Sequence, residues 1–255
     1  MKTIVFISDL QMPFHDRRAW KAVLNFIGDT KPDEVVNIGD VTDYPQPSRW
    51  TKGTKLEFLG GTLKDSAFTR RHYCESVRKV HNGAASLLGS NHGMRPALYF
   101  AKNNPALLDD DHPNPYTEDR LLRLDQYGMD FHEDFYDFAP GWTATHGHLG
   151  FSLSRIAGGT AMNAARTIQK SVVCGHTHRA GIISETKGYR GKVRTLTGLE
   201  IGNLMDMRKA TYLKHGAANW QQAFGIVRVE GSKTFPELIL INNGEFVVNG
   251  EKYHA

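Results

Sequence analysis

Five short apolar runs of the chain, Lys2–Ile7, 33–38, Ala84–Leu88, Trp142–Thr145 and Ser171–Cys174, each stop within three residues of an Asp, Asn or His. Runs of this length, several rich in β-branched residues, read as buried strands. In open α/β sheets ligands are held beyond such strand ends. The repeated punctuation therefore restricts the chain to a fold that gathers these ends together. Between the first two runs, Ala19, Ala22, Val23, Phe26 and Ile27 recur at helical spacing after Asp16, and Pro32 closes the segment. The first unit is thus strand, helix, strand, with Asp9 and Asp40 at the two strand ends.

Residues 44–62, with Pro45, Pro47, Gly53, Gly60 and Gly61, have no clean period and are expected to form an irregular excursion that overhangs the site. A helix is expected from Leu63 to about His81, feeding the 84–88 run with Asn91 and His92 just beyond it. The 96–125 segment is largely helical by pattern, broken by an Asp-rich surface loop at 109–115. Residues 129–131 are strand-like, and 154–169 read as one helix whose small residues Ala157, Gly158, Gly159 and Ala161 allow close packing. Past His178 come β-rich pieces at 225–229 and 237–241, and Asn242-Asn243-Gly244 followed by 245–248 is a hairpin signal. No internal repeat or low-complexity tract interrupts the chain, and 1–255 is expected to be a single α/β domain.

A chain of 255 residues with 40% hydrophobic content can bury a sizeable core. Its 31 basic and 27 acidic residues give a net charge of +4, so a nucleic-acid partner is allowed but not indicated by charge. Only Cys74 and Cys174 occur, far apart, and no disulfide is expected; Cys174 belongs to a buried strand, where a thiol behaves as a small hydrophobe. The first run is too short for a signal peptide, and no apolar stretch approaches the length a bilayer needs. The expectation is a soluble, cytoplasmic protein without a membrane partner; its oligomeric state is open.

The side chains at the strand ends share a chemistry. Asp offers a charged oxygen able to bridge two cations, Asn a neutral oxygen, and His a nitrogen suited to Zn, Mn, Fe or Ni. With no Cys among them, the set argues for an open centre with room for water and substrate rather than a closed structural zinc site. In order, the strings are Asp9-Leu10-Gln11, Gly39-Asp40-Val41-Thr42-Asp43, Ser90-Asn91-His92, His146-Gly147-His148 and Gly175-His176-Thr177-His178. This series resembles the calcineurin-like metallophosphoesterases, and the Asp-Leu-Gln variant has the look of a phage-encoded member. The resemblance spans Asp9 to His178, about two thirds of the chain.

The resemblance implies a metallophosphoesterase-type βαβαβ core, with two β-sheets sandwiched between helices. It also implies two divalent cations: Asp9, Gln11 and His178 at the first, Asn91, His146 and His176 at the second, and Asp40 bridging them. His148 competes with His146 for one position, and the resemblance favours His146. His92 corresponds to the family's acid or charge-stabilising imidazole, and Asp43 to the carboxylate that orients it. Three positions depart from the pattern: Gln11 stands where a His is usual, Ser90 replaces a glycine, and Gly93 replaces an acid. A neutral amide oxygen in place of imidazole favours harder ions, Mn²⁺ first, with Fe, Ni or Zn as alternatives. His15 could swing in as a substitute ligand, although an exposed loop position is expected for it.

Two cations roughly 3.5–4 Å apart make hydroxide from a bridging water at neutral pH and clamp phosphoryl oxygens. The expected activity is a phosphodiesterase for nucleotide-type or other small phosphoesters, with His92 as general acid and Arg49, Arg95 or Arg179 steadying the phosphate. A nuclease or broad phosphomonoesterase would use the same chemistry. Gln11 also admits a reading of a different class, a non-catalytic scaffold with a degenerate metal site.

Overall fold

The structure is a computed structural model describing residues 1–210 and 218–255. In chain order it opens with β1 (Lys2–Ile7), α1 (Arg17–Thr30) and β2 (Glu34–Asn37). The excursion at 44–61 holds one helical turn, α2 (Lys55–Phe58). The helix α3 (Thr62–Thr69) then runs through a π-helical turn, Arg70–Cys74, into α4 (Glu75–Val80). Next come β3 (Ala84–Leu88), α5 (Arg95–Asn103), α6 (Glu118–Leu122), β4 (Asp130–His132), β5 (Tyr136–Ala139) and β6 (Trp142–Thr145). The chain continues with α7 (Gly159–Ile168), β7 (Ser171–Cys174), β8 (Ala180–Tyr189), β9 (Lys192–Ile201), β10 (Ala223–Glu230) and β11 (Lys233–Leu240), and ends in the small hairpin β12 (Phe246–Val248) and β13 (Glu251–Tyr253).

Two sheets result. One has the order β11-β10-β1-β2-β3-β4, with β1 to β4 parallel; the other has the order β5-β6-β7-β9-β8, with β6, β7 and β9 parallel. Both faces of β1 are buried, and alternation sorts its side chains: Val5 and Ile7 pack with α1 residues such as Val23 and Phe26, while Ile4 and Phe6 pack with Trp142, Val173 and Leu199 of the other sheet. Phe6 and Phe138 meet across the sheets at 4.8 Å between ring centroids. The helix α7 covers the outer face of the second sheet through Ala161, Ala165, Val172 and Cys174. The architecture is two sheets sandwiched between helices.

Several boundaries differ from the sequence reading. The helix expected from 154 begins at Gly159, because Gly158 takes a φ of +82° and the buried Glu200 carboxylate of β9 accepts the N–H groups of Gly158 (2.7 Å) and Thr160 (3.1 Å). The Asn242–Glu245 turn forms, but the strand after it pairs with Glu251–Tyr253 rather than with the strand before it. Both cysteines are free and buried. Among the described residues no helix is long and apolar enough to cross a membrane.

Candidate metal centre

The parallel strands β1, β2 and β3 of one sheet and β6 and β7 of the other all end at one place. Asp9, Asp40 and Asn91 arrive from the first sheet; His146, His176 and His178 arrive from the second. Four of them leave the strand through the left-handed region: Asp9 (φ +52°), Asp40 (+51°), His176 (+66°) and His178 (+59°), as does Gln11 (+46°). That conformation costs an L-residue on the order of 1–2 kcal/mol. It also explains how His176 and His178, which strand alternation would send to opposite faces, both reach the centre. Gly175 is required beside them, since a Cβ there would lie 2.0 Å from the Ser8 hydroxyl and 2.6 Å from Asp9 Oδ2.

The centre has two halves. In the first, Asp9 is fully buried; the Ser8 hydroxyl (2.5 Å) and the His176 N–H (3.0 Å) donate to its Oδ2 and leave Oδ1 facing His178 Nε2 at 3.1 Å. The Gln11 amide stands 3.1 Å from the same His178 nitrogen. Carboxylate, imidazole and amide thus converge on one point. In the second half, His146 is fully buried, donates from Nδ1 to the Ile38 carbonyl (2.8 Å), and turns Nε2 to Asn91 Oδ1 (3.0 Å) and Asp40 Oδ2 (3.3 Å). Ligand atoms of Asp40, His146 and His176 lie within 4.8 Å of one another. The His148 ring sits 5.4 Å from that of His146 and 6.4 Å from that of His176, at the edge of the group.

The electrostatics call for cations. Burial pushes the Asp40 carboxyl up, but the neighbouring His146 and His92 outweigh it and hold the group well below the usual carboxylate range. Burial alone would lower His146, yet Asp40 lifts it to about 9, so the doubly donating ring carries positive charge in the metal-free protein. Burial, reinforced by the charge of His146, drops His176 and His148 to about 4, leaving neutral, ligand-ready imidazoles. His178 Nδ1 and both His148 nitrogens are buried without a hydrogen-bond partner. Two carboxylates, an amide pair and neutral imidazoles gathered at one place fit divalent cations of the Mn to Zn series.

His92 stands beside this cluster. Its backbone N–H donates to Asp40 Oδ1 (3.0 Å), and its ring Nδ1 lies 2.9 Å from Asp43 Oδ1 and 3.0 Å from the Asp43 carbonyl. The Arg95 guanidinium donates to His92 Nε2 (2.7 Å) and to the Asp43 carbonyl (2.8 Å). Of the other arginines weighed, Arg49 is exposed on the excursion with its guanidinium 4.7 Å from the Trp50 ring centre, and Arg179 donates to the Ser154 carbonyl (2.9 Å). His15 is neither a substitute ligand nor exposed: it is buried against Phe68 and His72, and burial lowers it to about 4.

Sequence reasoning missed Glu118. It lies buried on α6 with both carboxylate oxygens unpartnered, and it fills the space a side chain at position 93 would need: a Cβ on Gly93 would sit 1.7 Å from its Oε2. Burial, then the charge of Asp40, raises it to about 8. The glycine following His92 was the one available signal.

No family model matches the chain. Vps29 of Chaetomium thermophilum, a solved structure, has a TM-score of 0.48 at 12% identity, covering 100% of this chain and 98% of that one; Vps29 of Cryptosporidium parvum has 0.44 at 14%, covering 100% and 95%. The Gene 54 protein of Mycobacterium phage D29 is 45% identical over 255 residues, 100% of this chain and 99% of the relative. The Gene 54 protein of Mycobacterium phage L5 is 46% identical over the same span and the same shares. On that full-length identity, the chain belongs to the family of the mycobacteriophage Gene 54 proteins.

Proposed function

We propose that this protein is a phage-encoded, dinuclear-metal-dependent phosphodiesterase acting on small nucleotide-type phosphodiesters, with Mn²⁺ as its favoured ion. The observation that carries the reading is the convergence of Asp9, Gln11, Asp40, Asn91, His146, His176 and His178 on one centre beside the His92–Asp43–Arg95 group. Asp9, Gln11 and His178 would hold one cation and Asn91, His146 and His176 the other, with Asp40 available to both. When bound, the two ions supply Lewis acidity toward phosphoryl oxygens and an activated water.

The chain's own residues do the rest. Asp43 fixes the His92 ring through Nδ1, so that Nε2 is the atom that faces a leaving oxygen. As an acid the ring needs a proton on Nε2, which the contact with Arg95 denies it. A substrate phosphoryl group draws the guanidinium to its own oxygens, a pairing that Arg favours, and this frees Nε2 to take up a proton from solvent and pass it to the leaving oxygen. Arg95 thereby couples phosphate binding to the readiness of the acid.

The test is a metal-stripped preparation reloaded with Mn²⁺ and assayed on bis-p-nitrophenyl phosphate, p-nitrophenyl phosphate and cyclic nucleotides. Diester turnover that falls about 10²–10⁴-fold in His92→Ala, with metal content unchanged, is the expected result. Turnover of none of these substrates would return the chain to the scaffold reading that Gln11 admits.

A further inference from the structure

A groove of about 560 Å³ leaves the metal centre at Asn91, His148 and His176 and runs outward between the excursion and α5. One wall is a single helical face: Arg95, Leu98, Tyr99 and Lys102 fall at i, i+3, i+4 and i+7, all lining the groove. Leu98 is 59% exposed. The opposite wall carries Arg49, Trp50 and Lys52, and Trp50 is 75% exposed with its indole beside the Arg49 guanidinium. Among the described residues the one acid in the lining, Glu57, accepts from the Gly53 N–H (2.5 Å) and from the Tyr99 hydroxyl of the facing wall (3.1 Å).

An exposed indole and phenol between cations match a ligand that alternates flat rings with negative charge. The cations are also distributed. Arg95 stands at the inner end, and Lys102 two turns further along α5, about 10 Å away at 1.5 Å per residue. A cyclic nucleotide or other single-phosphate diester seated on the metals would leave Lys52 and Lys102 with nothing to neutralise. We propose that the groove binds a single-stranded nucleic acid. One phosphodiester lies at the metals, the neighbouring phosphates lie against Lys52 and Lys102, and a base stacks on Trp50 or Tyr99. This rests on the phosphodiesterase reading for the centre, but takes the nucleotide-type diester that is cleaved to be one link of a strand with further phosphates rather than a small free diester.

The first measurement is independent of turnover: fluorescence anisotropy of fluorescein-labelled dT10 and rU10, titrated with chelator-treated protein. Either strand should bind with an affinity that falls with salt, and Lys52→Ala/Lys102→Ala should lower the log–log salt slope by about 1.4, about 0.7 per cation removed. Trp50→Ala should weaken binding about tenfold, as loss of one base stack does. A mononucleotide should compete far less well than the strands. In the Mn²⁺-loaded protein the double lysine variant should lower the ratio of dT10 to bis-p-nitrophenyl phosphate turnover at least about tenfold. Binding of neither strand, a salt slope unmoved in the double variant, or equal competition by dTMP would overturn the groove assignment. Failure to cleave bis-p-nitrophenyl phosphate would instead fault the metal centre and leave the anisotropy result to decide the groove alone.

Discussion

Glu118 and Gly93 form one unit: the carboxylate occupies the volume the glycine leaves, directly behind the Asn91–His92 turn. Gly93→Ala should therefore overpack, costing about 1–3 kcal/mol and displacing His92, while Glu118→Ala in the same chain should recover part of both losses. A thermodynamic cycle over the four variants measures that coupling, and additive effects would show that the two do not act together. The same carboxyl has a pH signature in metal-free protein. Its folded-state pKa is about 8 against an ordinary 4.5, so between those values the folded chain keeps a proton the unfolded chain has released. Stability should fall as pH rises through that window, by up to about 1.4 kcal/mol per unit, and level off above it. Glu118→Gln should flatten that slope in urea titrations at pH 5, 6.5 and 8 with chelator present; a slope equal to the parent's would refute the assignment.

At the scale of elements, the helix α7 shows why the sequence misplaces a boundary. Its start is set by Glu200, forty residues later on β9, whose oxygens take two N–H groups that α7 itself leaves open. Glu200→Ala should cost about 2–4 kcal/mol, visible as a lowered melting temperature, because those buried donors lose their acceptor. Unchanged melting would mean that water or a neighbour takes over. Where burial was local and two-sided, pattern sufficed: β3, β6 and β7 match the apolar runs residue for residue. The ribbon of β8 and β9 escaped notice because its outer half is exposed on both strands and carries no alternation to read. The candidate ligands were legible because each sits in a short linear string at a strand end. The Arg95 contact with the Asp43 carbonyl and the place of Glu118 were not, since each depends on segments that meet only in the folded chain.

For the molecule as a whole, the centre is also a joint between the two sheets. Asp9, Asp40 and Asn91 belong to one sheet and His146, His176 and His178 to the other. Without cations, two buried carboxylates are held across that joint by imidazoles at 3.1 and 3.3 Å. Cations bound by both sheets should tie them more strongly, and because the unfolded chain has no such site, binding adds directly to stability. At a free ion concentration one hundred times the dissociation constant the gain is about 2.7 kcal/mol per site, about 5–10 °C in melting temperature for a chain of this size. Mn²⁺ should raise the melting temperature of metal-stripped protein by that amount for each site it fills and EDTA should reverse it. Asn91→Ala and His176→Ala, which remove a ligand from opposite sheets, should each reduce the rise, whereas Trp50→Ala, remote from both sheets on the excursion, should leave it intact. A melting temperature indifferent to millimolar Mn²⁺ would mean that these residues converge without holding an ion, and the joint would then rest on its imidazole–carboxylate pairs alone.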